Sequence, residues 1–123
     1  MSLEHSFYVS LTEFLLRHSQ SCQKIRCEVP LADAGATSDL VAITRNGILE
    51  AYEVCLTTSH VLGNVQKYAK TRHRIVLLAR TYELSMAIKG LVKGSGLDPE
   101  LIARVEHVHV SQLLRRARRL SQY

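Results

Sequence analysis

The sequence predicts an α/β domain: a central mixed β-sheet with helices on both faces. Three observations predict it. Residues 75–79, Ile-Val-Leu-Leu-Ala, are a short and wholly apolar run, the pattern of a strand covered on both sides. Asn46-Gly47 lies between two strand-like runs, 39–44 and 48–56, and Asn-Gly in that position reads as a hairpin turn. Segments with apolar residues at helical spacing precede, separate and follow these strands. With 123 residues, 46% hydrophobic and 22% charged, the chain has an ordinary globular composition and the length to bury a core without disulfides. It reads as one domain over 1–123, standing alone or as a piece of a larger protein.

Residues 7–18 place Phe7, Val9, Leu11, Phe14, Leu15 and Leu16 at helical spacing with a broad apolar face. Ser19-Gln20-Ser21 breaks that pattern. Residues 24–30 alternate, with Ile25, Cys27 and Val29 on one side and Arg26 and Glu28 on the other, so they read as a half-exposed strand ended by Pro30. A small-residue loop over 32–37 leads into the hairpin. A helix over about 59–70 carries Val61, Leu62, Val65, Tyr68 and Ala69 on its apolar side. The helix over 82–92 stops at Gly94-Ser95-Gly96; Asp98 then caps a further helix with Pro99 in its first turn. Residues 108–110 read as a short strand, and Ser111 as the cap of a closing helix over 112–120. The order is α-β-β-β-α-β, then α-α-β-α.

Several function classes are excluded. No apolar run approaches the ~20 residues of a membrane span, and no basic region leads into a long apolar stretch as in a secretory signal, so no membrane association is expected. Three cysteines, Cys22, Cys27 and Cys55, are an odd number without CxxC spacing and read as reduced thiols of a cytoplasmic protein. No Walker loop or dinucleotide fingerprint occurs, which argues against nucleotide hydrolysis. The net charge of +5, from 16 Lys and Arg against 11 Asp and Glu, permits a polyanionic partner.

The informative residues lie on the hairpin. A two-residue connection would set Asp39 opposite Val54. A three-residue connection, a type I turn closed by a left-handed Gly47, sets Asp39 opposite Glu53, and Gly47 suits that position. Asp39, Glu53 and Cys55 then share a face. Two carboxylates opposed across strands lie roughly 5 Å apart at Cβ and repel. They are either solvated at a sheet edge or joined by a divalent cation, and a small set of oxygen ligands suits magnesium or manganese.

The run Ser38-Asp39-Leu40-Val41 … Tyr52-Glu53-Val54-Cys55, with the element order of residues 6–79, resembles the PD-(D/E)XK nuclease superfamily, which includes restriction endonucleases and Holliday junction resolvases. The resemblance implies a restriction endonuclease-like core and metal-dependent hydrolysis of DNA phosphodiesters, an endonuclease or deoxyribonuclease activity using Mg2+ or Mn2+. It implies Asp39 and Glu53 as metal-ligating catalytic acids, with the carbonyl of Val54 as a further ligand. Ser38 stands where the family often has proline. Cys55 stands where the family has its lysine, and a thiol, with a pKa of ~8.5, supplies no positive charge there. Two explanations remain. The lysine has moved to the next helix, where Lys67 and Lys70 are the catalytic candidates, with Gln66 as a polar companion. Or the domain no longer cuts, and serves as a DNA-binding or docking module within a larger DNA-processing protein. Glu13, on the first helix, is a further accessory candidate.

Lys67, Lys70, Arg72 and Arg74 lie in a stretch without acidic residues between 54 and 82, and Arg115 and Arg116 belong to a cluster on the last helix. Phosphate neutralisation by such residues is the sequence-independent part of DNA affinity, so DNA is the expected partner, with a homodimer as a further expectation. His107 and His109 share one side of a strand and read as a surface pair.

Overall fold

A computed structural model describes residues 2–31 and 35–120, the side chains of 116–120 excepted. The chain opens with α1 (Leu3–Ser19), capped by the Ser2 hydroxyl, which accepts from the His5 N–H at 3.1 Å, and closed by Gln20 in the left-handed region. Three strands follow, β1 (Cys22–Pro30), β2 (Thr37–Thr44) and β3 (Leu49–Cys55). Then come α2 (Val61–Gln66), β4 (Arg74–Ala79), α3 (Tyr82–Lys93), α4 (Pro99–Ala103), β5 (Val105–His109) and α5 (Val110–Leu120). The five strands form one sheet in the order β1-β2-β3-β4-β5. β1, β2 and β3 are an antiparallel meander, and β3, β4 and β5 run parallel. The expected mixed sheet with helices on both faces is therefore what the chain forms.

Two cores result, one per face. Leu15 and Leu16 of α1 and Leu113 of α5 pack on Leu40, Ala42, Tyr52, Val54, Val76 and Leu78. Val61 and Val65 of α2, Ile88 and Val92 of α3, and Leu101 of α4 pack on Ala51, Cys55, Ile75, Leu77 and Ala79 on the other side. The apolar β4 supplies alternate residues to both cores, which is why its sequence shows no alternation.

The hairpin adopts the three-residue connection. Thr44 and Ile48 are joined by an N–H···O bond of 2.9 Å, Gly47 donates to the Thr44 carbonyl at 2.9 Å, and Gly47 takes φ +82°. The ladder pairs Leu40 with Tyr52 and Ile43 with Leu49; one step further that register sets Asp39 opposite Glu53.

Four element expectations are corrected. α1 starts at Leu3, and Phe7 and Phe14 are 59% and 64% exposed while Thr12, Leu15, Leu16 and Ser19 are buried; the sheet selects a narrower stripe than the apolar pattern offered. α2 is short, entered through His60 at φ 65° and left after Gln66 for turns. β5 begins at Val105, its polar Glu106 and His107 lying on a half-buried edge strand. α5 starts at Val110, so Ser111 lies inside it, and the Gln112 Oε1 accepts from the His109 N–H at 3.1 Å. Among the described residues no helix is long and apolar enough to cross a membrane.

Candidate functional site

The site lies where β2 and β3 part. Their ladder ends at Leu40–Tyr52, so the next N–H of β3 on that side, at Val54, has no strand carbonyl to meet. The Asp39 carboxylate takes its place, with Oδ2 accepting from Val54 N–H at 2.9 Å. The neighbouring strand is irregular at the same level. Cys27 pairs with Leu40 and Val29 with Ser38, and between them Glu28 takes φ 53°. Across this point the alternation of both strands inverts. Ile25 and Leu40 pack on the α1 side, whereas Val29 packs on the α2 side and the Ser38 hydroxyl lies 2.7 Å from Tyr68 Oη. A non-glycine residue in the left-handed region costs about 1–3 kcal/mol and persists where the surroundings over-determine it. The inversion alters one expectation: Glu53 and Cys55 face the α2 layer, but Asp39 Oδ2 also reaches His5 Nε2 of α1, at 3.1 Å. A carboxylate only accepts, so the imidazole proton at that contact sits on Nε2.

Glu53 is 1% exposed and gathers four donors. Lys67 Nζ donates to Oε1 at 2.7 Å, and Oε2 lies 2.5 Å from Tyr68 Oη, 3.2 Å from the Asp39 N–H and 3.3 Å from Ser38 Oγ. Lys67 Nζ also donates to the Thr37 carbonyl at 2.6 Å, which ties the turn after α2 to the start of β2. Burial and then the nearby Asp39 charge raise the Glu53 carboxyl above its ordinary range, against the opposing pull of Lys67 and Tyr68. Burial and the same two carboxylates push the Cys55 thiol up to about 12 and the Tyr68 phenol higher still. Cys55 is therefore a neutral packing residue at neutral pH, 4% exposed.

Asp39, Glu53, Val54, Cys55 and Lys67 line one cleft of about 410 Å³, with His5, Thr37, His60 and Asn64 around them. It opens at the carboxyl end of β3, where α/β sheets place ligand sites. Of the remaining sequence candidates, Gln66 and Arg72 line a different hollow of about 510 Å³ with Arg104 and Asp98. Glu13 is not brought to the cleft: it pairs with Arg17 at 3.0 Å on the outside of α1 and lies beside Cys27. Lys70 lies in the turn beyond Lys67, and the cleft does not include it. Arg74 is drawn to Glu106, at 3.5 Å, and Glu50, at 4.0 Å. Arg115 is exposed on α5, on the opposite face of the sheet from α2, and the Arg116 side chain lies outside the described residues. Two contributors were missing from the sequence reading, His5 and Tyr68. For His5 no sequence signal existed, because its contact spans 34 positions. For Tyr68 a signal did exist, since a buried phenol requires a hydrogen-bond partner.

The donor set can be tested for a divalent cation. Among the described residues no group of three or more His, Cys, Asp or Glu side chains is arranged to hold a metal. The two opposed acids remain. Asp39 Oδ1 accepts no hydrogen bond among the described residues, whereas both Glu53 oxygens are engaged. These two carboxylates, with Asp39 Oδ1 unengaged among the described residues, are the acidic donors the cleft offers a cation. No protein-family model, curated protein or solved structure matches this chain.

Proposed function

We propose that the chain is a nuclease-like domain of the PD-(D/E)XK kind that binds the DNA backbone at the Asp39–Glu53–Lys67 cleft and hydrolyses a phosphodiester there. The observation that carries this reading is the ammonium of Lys67, 2.7 Å from Glu53 Oε1. A positive charge from the turn after α2 stands beside the second acid, replacing what Cys55 cannot supply. The element order α-β-β-β-α-β through β4, with Asp39 at the splayed end of β2 and Glu53 across from it, supports the finer fold assignment.

Asp39 and Glu53, with the Val54 carbonyl, would hold magnesium or manganese, which supplies Lewis-acid polarisation of a phosphate oxygen and an activated water. The protein's own groups do the rest. Val54 N–H and His5 Nε2 fix the Asp39 carboxylate through Oδ2. Tyr68, Ser38 and the Asp39 N–H fix Glu53 through Oε2 and leave Oε1 toward Lys67. Lys67 offsets charge that builds on the phosphate. Loss of one such charge-stabilising group costs about 100- to 1000-fold in rate.

A second reading has its own observation. Glu53 is already satisfied by internal donors and Cys55 is neutral, as in a domain that binds DNA or docks within a larger DNA-processing protein without cutting. Incubation with linear, circular and branched DNA plus Mg2+ or Mn2+ tests both readings. The nuclease reading expects cleavage that Asp39→Asn abolishes and Lys67→Met lowers by about 100-fold or more. No cleavage by the wild-type chain, with activity gained by Cys55→Lys, establishes the second reading instead. Cleavage that persists in Asp39→Asn contradicts the proposed site.

A further inference from the structure

Several cationic side chains among the described residues are engaged by acids or carbonyls. Arg17 pairs with Glu13, Lys67 with Glu53, Arg74 with Glu50 and Glu106, and Arg80 with Glu4, while Arg104 donates to three main-chain carbonyls. At the outer edge of the sheet, beside β5, two cations without such a partner among the described residues stand near a histidine. His107 pairs with Leu77 in the parallel ladder and so faces the α3 layer. Lys89 and Lys93, one turn apart on α3, stand within electrostatic reach of its ring. Residues four apart on a helix lie on the same face, roughly 5–6 Å between Cβ atoms. Neither lysine has an acidic partner among the described residues. Lys89 is half-buried and Lys93 exposed, and His107 Nδ1 is buried without a hydrogen-bond partner. Burial and the two ammonium groups together lower the His107 pKa.

Three cationic or donor groups brought together without an acid form an unfavourable arrangement that an oxyanion relieves. We propose that Lys89, Lys93 and His107 form a phosphate-binding surface on the α3–β5 edge, occupied by the phosphodiester backbone of a nucleic acid. It lies in the same helical layer as α2, with His107 level with Glu53 across the sheet through Leu77. Only the identity of the phosphate carrier rests on the nuclease-like reading; the site itself does not. Two phosphate-neutralising lysines contribute about 1.8 to the slope of log affinity against log salt, at roughly 0.9 per contact.

The test has two arms. Binding of a labelled DNA duplex is measured by anisotropy across a salt series in EDTA, for wild type, Lys89→Gln/Lys93→Gln and the charge-preserving Lys89→Arg/Lys93→Arg. The expected result is a slope lower by about 1.8 in the Gln pair and unchanged in the Arg pair. An equal slope in all three overturns the nucleic-acid assignment. Inorganic phosphate is titrated separately while the ring resonances of His107 are followed by NMR. Movement in wild type that is absent in the Gln pair supports the site even if the DNA arm shows no binding, in which case the ligand is a free phosphate and the nucleic-acid assignment falls. No movement of His107 with phosphate, together with unchanged DNA slopes, overturns the proposal entirely.

Discussion

Glu53 determines the character of the cleft. A carboxylate 1% exposed is tolerated only when charged or polar partners replace water, and here an ammonium, a phenol, a hydroxyl and a main-chain N–H converge on two oxygens. Tyr68→Phe keeps the buried ring and deletes one charge-assisted bond, so chemical denaturation should show a loss of about 1.5–3 kcal/mol. The pH dependence has a definite sign. The folded carboxyl of Glu53 titrates above its ordinary value, so between those two values the native state binds the extra proton. Stability from this group is present at low pH and is lost as pH rises through the folded value. Denaturation at several pH values should show that decline in wild type, and Glu53→Gln should flatten it. At this scale the hairpin spacing pointed to Asp39 and Glu53 and the family resemblance to Lys67, and the fold brings all three to one cleft. It could not reveal His5, whose place beside Asp39 depends on how α1 lies across the sheet.

Secondary-structure elements place these residues, and a single turn sets their register. Gly47 at φ +82° lets three residues join β2 and β3, and that count alone puts Asp39 across from Glu53 rather than Val54. Gly47→Ala forces a Cβ into the left-handed region at a cost of about 1–2 kcal/mol, readable as a lower denaturation midpoint. The cleft is otherwise unchanged by this substitution, since nothing lies within 4 Å of the added carbon. The Asn-Gly pair made this turn readable in advance. The apolar side of α1 was not readable to the same degree, because Phe7 and Phe14 extend the hydrophobic pattern beyond the stripe that Leu15 and Leu16 bury. The start of β5 was hidden for the opposite reason, as Glu106 and His107 are polar residues on an edge strand that needs little burial. The inversion at Glu28 leaves no mark in a sequence whose alternation runs smoothly through Val29.

Across the whole molecule, an antiparallel meander joined to a parallel pair brings the carboxyl end of β3, the splayed start of β2, the turn after α2 and the N-terminal turn of α1 to one cleft. The net charge of +5 signals a polyanion only in aggregate. Folding ties Arg74 and Arg80 into ion pairs and leaves Arg115 on the opposite face from Lys67, partitions that a count of charges cannot foresee. We propose that Asp39 and Glu53 act as one cation-binding pair beside Lys67. Titration of the chain with Mn2+, followed by the loss of the free-ion EPR signal, tests it most directly. One Mn2+ per chain is expected to bind, competed by Mg2+ and lost in Asp39→Asn; binding unaffected by that substitution, or no binding at all, overturns the cation-binding pair.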